Sequence, residues 1–406
     1  MNKNLGKTRD VRTVGKAVLS SAYVFWCLFS IIFFPIIPRT ASAGGPGTTS
    51  VQILKTDMSP RAMGMAGSFV AVADDIYTVN YNPAGAGQLY IPEASAMYLT
   101  GFEDSKLQFL GFGMPLPVIG LAGVEKAGVA ASAVFSQSGK FTYRRIEPDG
   151  NVSSRDMDAE TTKVLSLSYG EKIYSGDIKI EGYNAAIDQY LGVTAKYISS
   201  ELLETYSASA LAFDAGWLVR EPNLGLAFGA SLSNYGKGVK YLNETSPLPA
   251  ILRLGLSYEK PTFMDQSVLL VMEDDIYLKE SLKSLRVGLE YHFEKIFNFR
   301  LGYKAMEDNK GATMGLGVHH EGFALDFAMS LANEVFNTSQ VAFTYKFTGW
   351  RVGNYKKNTH YRDQDEEHPK PEKAVKPASP AKKEPVKSKN QREPDKKKDS
   401  GFFWID

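Results

Sequence analysis

Between residues 93 and 347, large apolar side chains alternate with small or polar ones at a period of two, the spacing of a strand with two unlike faces. Leu252, Leu254, Leu256 and Tyr258 oppose Arg253, Gly255 and Ser257. Leu285, Val287, Leu289, Tyr291 and Phe293 oppose Arg286, Gly288, Glu290 and His292. Phe297, Phe299, Leu301 and Tyr303 likewise oppose Asn298, Arg300, Gly302 and Lys304. Runs of this kind predict about fourteen strands, an even number as a closed antiparallel barrel needs. They lie near 94–103, 106–116, 127–136, 161–171, 189–199, 206–219, 223–234, 251–260, 266–277, 284–293, 297–305, 312–320, 322–330 and 339–347.

A soluble sandwich alternates too, so the fold turns on which face meets water. Here the charged face is also rich in Gly and Ala, and the oily face keeps aromatics near strand ends. An outward apolar band around a crowded polar interior predicts that combination. A charge on the lipid face costs roughly 2–4 kcal/mol at mid-membrane, which makes Arg253, Arg286 and Arg300 lumen-facing. Lys196, Asp214, Glu290 and Lys304 share that face, mixed in sign, which favours a pinned plug over an ion-selective pore. The fold expected is all-β, an outer-membrane antiparallel barrel. Connections 137–160 and 235–250 read as long outer loops, and 172–188 is too long for a simple turn at the other end.

Upstream, Lys3, Lys7, Arg9, Arg12 and Lys16 precede an apolar run from Ala17 to Ile37 and an Ala41-Ser42-Ala43 site, a secretory signal cleaved after Ala43. An uncleaved anchor helix is the other reading, opposed by Pro35 and Pro38. The only cysteine, Cys27, lies in this run behind the bulky Trp26, so neither a lipoprotein anchor nor a disulfide in the cleaved chain is expected.

Residues 59–87 combine Gly-rich text, a carboxylate pair and an Asn-Pro-Ala-Gly turn: SPRAMGMAGSFVAVADDIYTVNYNPAGAG. Gly64, Gly67 and Gly85 permit close backbone approach or positive φ. Ala71 to Asp75 is expected to make a short helical turn, ended at Asn82 because Pro83 disfavours helix in the residue before it. Asp74 and Asp75 read as helix termination and ion pairs to lumen arginines.

The stretch Arg61 to Gly85 resembles the signature near the mature N-terminus of the FadL-type outer-membrane transporters, and more closely that of their PorV/PorQ-like branch, RAMGMGGAFVAVADD…NPAGL. Gly85-Ala86-Gly87 stands where that family continues Gly-Leu, and Ile76-Tyr77 replaces smaller residues. LRLGLSYE at 252–259, RVGLEYHF at 286–293 and FRLGYKA at 299–305 look like late strands of the same branch. VAFTYKF, ending at Phe347, resembles the terminal strand read by barrel-insertion machinery. The resemblance implies that residues 44–92 form a hatch in the lumen of a barrel over 93–350, with 1–43 as signal. It also implies transport of hydrophobic molecules such as long-chain fatty acids. A PorV-like scaffold or shuttle, binding exported proteins at the loops 137–160 and 235–250, is the alternative it carries.

A plug bearing Met63, Met65, Phe69, Ile76 and Tyr77 can leave an apolar pocket, with Arg253 and Arg300 able to neutralise a carboxylate headgroup; plain packing of the plug explains the same residues. The net charge of +1 hides basic clusters at both ends, and the balanced middle predicts no nucleic-acid footprint. Residues 351–406 are Lys, Glu and Pro-rich and expected to be a disordered periplasmic tail, whose Phe402-Phe403-Trp404 tip has the shape of a docking motif for a periplasmic partner. Outer-membrane lipid is the remaining partner.

No Walker loop, HExxH, GxSxG or cysteine cluster is present, so no enzyme, cofactor or metal is expected. His319-His320 reads as a solvated turn. Glu273-Asp274-Asp275 reads as a solvated loop rim, with a hard cation as the sharper option.

Overall fold

The computed structural model describes residues 45 and 47–349, apart from 102–104, 181–182, 263–265, 307–309 and 333–336. The expected signal and the basic tail lie outside the described residues. Fourteen strands form one closed antiparallel barrel in sequence order: β1 (Glu93–Thr100), β2 (Lys106–Ile119), β3 (Lys126–Ile146), β4 (Val152–Ile180), β5 (Tyr183–Leu202), β6 (Tyr206–Glu221), β7 (Leu226–Gly236), β10 (Ile251–Pro261), β11 (Ser267–Tyr277), β12 (Lys283–Phe293), β13 (Phe297–Ala305), β14 (Gly311–His320), β15 (Phe323–Ala332) and β16 (Thr338–Lys346). Between β7 and β10, β8 (Val239–Lys240) and β9 (Thr245–Ser246) make a separate hairpin. The seam is the β1–β16 pair, from Glu93 opposite Lys346 to Thr100 opposite Ser339. The chain thus enters and leaves the barrel at one rim, here the terminal rim. The hairpin ends such as Thr100 opposite Lys106 mark the distal rim.

All fourteen expected strands are present, and their sides follow the expected parity. Arg253, Arg286, Glu290, Arg300 and Lys304 are buried and inward. Leu167, Leu211, Phe213, Leu301, Leu316 and Leu325 are exposed and outward, each more than half accessible. A barrel that turns its oil outward and its charge inward is a transmembrane barrel, because water would select the reverse. Among the described residues no helix is long and apolar enough to cross a membrane, so crossing is by strands.

Two expected loops are strands instead. Residues 137–160 continue the β3–β4 ladder from Gln137 opposite Thr161 to Ile146 opposite Val152. At the other end, β4 and β5 stay paired to Ile180 opposite Tyr183, with a register shift between Lys172 and Tyr174. The 172–188 connection is therefore mostly ladder, turning only between Ile180 and Tyr183. A strand of 29 residues would span roughly 95 Å if straight, so even when tilted β4 stands well clear of a hydrocarbon core of about 30 Å. Past the membrane the alternation fades, since both faces meet water, and that is why these arms read as loops.

Residues 49–89 take no part in the barrel ladders and lie against inward-facing side chains. Two short helices, α1 (Pro60–Gly64) and α2 (Thr78–Tyr81), interrupt otherwise irregular chain. Ser59 caps α1 by accepting from Ala62 N, and Pro60 at the first position loses nothing because that N–H would be unpaired anyway. Asn82, extended at φ −151°, ends α2 and caps the following 3-10 turn Pro83–Gln88. The helical turn expected at Ala71–Asp75 forms only in its first half: Phe69 O accepts from Val72 N and Ala73 N at 3.0 and 2.9 Å, and the turn goes no further. The Val72 and Ala73 carbonyls are taken by Gln88 Nε2 at 3.0 and 2.9 Å, and that of Val70 by Asn82 Nδ2 at 2.8 Å. With those acceptors engaged by side chains, a helix has no ladder to build on.

Leu301→Arg, on the lipid face of β13, is expected to destabilise the barrel by about 2–4 kcal/mol. Leu242→Arg, at an equally exposed leucine between β8 and β9, is expected to change it little. Urea titration of vesicle-embedded protein, read by heat-modifiable migration, distinguishes the two.

The closed lumen as candidate functional site

The inner segment runs the length of the barrel. At the distal rim Ser50 N donates to Pro247 O at 2.9 Å, and Glu280 accepts from Thr49 N at 3.1 Å and from Lys55 Nζ at 2.7 Å. At the terminal rim the segment leads through Pro92, whose carbonyl accepts from Phe347 N, into β1. Its two ends are thus fixed at opposite mouths.

In between, the backbone comes up against cross-strand glycines. Gly128, Gly170, Gly192 and Gly216 face one another in register across β3–β6. A Cβ on Gly192 would sit 2.3 Å from the Pro83 carbonyl, and one on Gly216 at 2.0 Å from Asn82 Oδ1. The Gly229–Gly255 and Gly288–Gly302 pairs receive Val70 and Met65–Ala66 in the same way. Within the segment, Gly67 has φ +86°, and a Cβ on Gly85 would meet Ala73 O at 1.9 Å. The glycines that sequence alone assigned to a crowded interior are the places where that crowding occurs.

Charge fixes one side. Arg61 spans the gap to the wall: its Nη2 lies 2.9 Å from Glu290 on β12, and its Nη1 reaches Asp74 at 2.5 Å and Asp75 at 3.6 Å. The partner of the aspartate pair is therefore this arginine of the segment itself, not a wall arginine as expected. Glu290 also receives Arg300 Nε at 2.6 Å, and Arg300 Nη1 holds Asp326 at 2.6 Å. Nearer the distal rim, Asp57 pairs with Arg286 at 3.2 Å and with Lys304, and Gln340 donates to the Asp57 carbonyl. Arg286 Nη2 reaches Asp275 at 3.1 Å, and Arg253 Nε lies 3.6 Å from Asp275 and 3.8 Å from Glu273. Glu273 accepts from Phe69 N at 2.7 Å and Val70 N at 2.8 Å. Glu273 and Asp275 are thus buried lumen groups rather than the solvated rim expected. The β11 text Val268-Leu269-Leu270-Val271-Met272 is apolar on both faces, so its parity could not be read.

The opposite side is oily. Met97 and Leu99 of β1, Leu107 and Phe109 of β2, Val134 of β3, Val164 of β4 and Ile198 of β5 join Val51, Leu54, Met58, Met65, Phe69, Ile76 and Tyr77 in one buried apolar cluster. The Tyr77 ring stacks on Phe109 at 4.7 Å, and its hydroxyl meets Ser95 Oγ at 2.7 Å. Phe69 packs edge-on to Tyr81 at 5.3 Å, with Arg61 over the Phe69 ring at 5.5 Å. Met63, Met65, Phe69, Ile76 and Tyr77 are all at most 4 % exposed. In this closed arrangement they are packed rather than lining open space, and the guanidiniums of Arg253 and Arg300 already face carboxylates.

Sequence reasoning missed Asp57, Glu280, Asn234 and Gln340. Asp57 stands two residues before the recognisable motif, and nothing in its neighbours marks it. Asn234, at φ +59°, bulges β7 inward. There its side chain accepts from Lys196 Nζ at 2.8 Å and donates to Pro249 O at 3.2 Å.

This architecture defines a membrane β-barrel closed by its own N-terminal segment. No model of a known family matches the chain, and no curated protein matches it. Among solved structures it is similar to the toluene transporter TbuX of Ralstonia pickettii at 14 % identity, over 71 % of this chain and 98 % of that one, with a TM-score of 0.46. It is similar to the toluene transporter TodX of Pseudomonas putida at 11 % identity, over 75 % and 98 %, TM-score 0.40. A Pseudomonas aeruginosa FadL homologue follows at 12 % identity, over 70 % and 97 %, TM-score 0.41.

Glu290→Ala would leave Arg61 and Arg300 facing each other without their shared carboxylate, a loss of about 3–5 kcal/mol for a broken buried pair. The expected result is a barrel that still migrates as folded while residues 45–92 become open to protease. Unchanged protection would count against the ion cluster as the anchor.

Glu280 supplies a pH test. Burial alone would raise its carboxyl, but the hydrogen bonds from Lys55 and Thr49 and the Lys55 charge outweigh that and hold it below the usual carboxylate range. A depressed folded value means that its stabilisation is complete above the unfolded carboxylate pKa of about 4.3 and is lost as pH falls through the folded value. Hydrogen exchange at residues 49–56 should therefore accelerate on acidification below about pH 4, more steeply than in Glu280→Gln.

Proposed function

We propose that the protein admits hydrophobic small molecules, long-chain fatty acids among them, across the outer membrane, and that it is a transporter rather than an enzyme. The observation that carries this reading is the two-sided lumen. The segment closing it is held by ion pairs and carboxylate hydrogen bonds to β11–β13, and to β1–β5 by apolar contact and the Tyr77–Ser95 hydrogen bond. Parting the apolar contact exposes oil on both surfaces, costing roughly 25 cal/mol per Å² in water, and a hydrophobic solute lowers that cost where an ion does not. In this reading the terminal rim faces the periplasm, the solute is captured at the distal mouth, and it passes along the β1–β5 wall while the charged side keeps its pairs. The resemblance of Arg61 to Gly85 to the FadL-type signature points to the same class, and its closeness to the PorV/PorQ-like branch supports a place there.

A second reading, a sealed scaffold that binds exported proteins, is favoured by one observation. The β3–β4 hairpin projects far past the distal rim with Tyr143, Ile146 and Val152 exposed along it.

Uptake of a labelled long-chain fatty acid into proteoliposomes separates the two. Ala66→Cys with Thr313→Cys ties the segment to β14 on the charged side, where Ala66 N already donates to Thr313 Oγ1 at 2.9 Å. Uptake should be saturable and survive oxidation of this pair. A cross-link on the apolar side, Tyr77→Cys with Ser95→Cys, should abolish it until the bond is reduced. Absence of saturable uptake or binding in the uncrosslinked barrel sinks the transporter reading.

A further inference from the structure

We infer that a groove on the outward face of β2–β4 holds the phosphorylated headgroup of an outer-leaflet lipid. The inference rests on placing the apolar band in the outer membrane with the distal rim outside. Strand register locates the groove relative to that band. Leu110, Ala133 and Leu165 form one outward cross-strand row; Gln108, Phe135 and Lys163 form the next toward the distal rim; Lys106, Gln137 and Thr161 form the one after. The first row is hydrocarbon and the third is wholly polar. The outer edge of the apolar band therefore passes through the second. On β1 Tyr98, in the second row, gives way to Thr100 in the third, and on β5 Tyr197, in the first, gives way to Ser199 in the second, so the edge lies within one row of this height on both sides.

On these two polar rows the surface is concave, with a volume of about 240 Å³. Phe135 forms an apolar floor between Lys106 and Lys163, with Gln108 and Thr161 offering hydrogen-bond donors. Among the described residues neither ammonium has a carboxylate within ion-pair distance. Three carboxylates line the adjoining hollow that Lys106 and Gln137 also border: Asp158, which accepts from Gln137 at 3.3 Å, Glu204, which pairs with Arg155, and Asp156, which accepts from Thr142 at 2.8 Å. Two lysines with no carboxylate in ion-pair distance among the described residues, facing outward at the level where lipid headgroups lie, are a phosphate site with an apolar approach. The adjacent Leu110 and Leu165 continue that approach into the hydrocarbon, where acyl chains would lie. A free phosphate would use the lysines and amides but gain nothing from that oil, which is why the lipid is the favoured source.

The test uses the full chain in detergent, with lipid A as probe and retention read by native mass spectrometry. Wild type should retain lipid A, and Lys106→Ala with Lys163→Ala should weaken retention at least tenfold while migrating as a folded barrel. Lys179→Ala with Lys260→Ala removes equal charge near the terminal rim and should behave as wild type. Equal retention by the groove variant, or equal loss in the control, overturns the proposal. Displacement of lipid A by inorganic phosphate as effectively as by lipid A itself also overturns it, in favour of a free-anion site. Flotation with vesicles reads the membrane placement separately. A barrel that does not float defeats both readings, whereas one that floats but ignores lipid A defeats the groove alone.

Discussion

A chain can lie inside this barrel only where the wall lets its backbone approach, and the inward glycines set that limit. At Gly192, Gly216, Gly229, Gly288 and Gly302 a single added carbon would stand within 2.6 Å of the inner segment's atoms. Alanine at these places would push the segment off the wall and pull the charged side chains beyond hydrogen-bond reach. Shape complementarity at the backbone therefore comes first, and the ion pairs are precise because of it. Gly288 and Gly302 seat Met65–Ala66 one turn from Arg61, on the same pair of strands that carry Glu290 and Arg300.

The charges themselves are weak evidence for raw stability, since desolvating two ions consumes much of what their attraction returns. Their stronger effect is on register. Arg61 faces three carboxylates, Asp74, Asp75 and Glu290, while Glu290 faces two guanidiniums, so a shift of the segment by one residue would bury unmatched charge. A purely apolar plug in an oily tube could slide. This one is indexed by charge on β11–β13 and packs mainly by volume against β1–β5.

Much of this was legible in the sequence because a membrane barrel enforces its pattern strictly. Lipid on one side and a filled lumen on the other give every spanning strand two chemically distinct faces, so Arg253, Arg286, Arg300 and Lys304 declared their side at once. Where the constraint lapses the reading failed. The β3–β4 and β4–β5 arms have water on both faces and looked like loops, and β11 has oil on both faces, so Glu273 and Asp275 looked like a rim. Irregular chain is harder again. Ala71–Asp75 has helix-compatible composition, but Gln88 and Asn82, distant in sequence, take the carbonyls that a helix would need. Asp57 and Glu280 act through partners more than two hundred residues away, Arg286 and Thr49, which no local pattern signals.

The two ends of the segment decide how it can yield. The Glu280 contacts hold it at the distal mouth, and continuity with β1 holds it at the terminal rim, so it cannot leave the barrel as a cork does. Its middle can only bow away from one wall. Bowing from β11–β13 would break the Arg61–Glu290, Asp57–Arg286 and Asp57–Lys304 pairs, at roughly 3–5 kcal/mol for each broken buried pair. Bowing from β1–β5 breaks the Tyr77–Ser95 hydrogen bond but no ion pair among the described residues, and otherwise separates apolar surfaces, a cost that a solute able to cover those surfaces offsets. The charge distribution thus does more than close the lumen. On the transport reading proposed above, it selects the wall along which the lumen would open, and it makes that opening cheapest when the entering molecule is itself apolar.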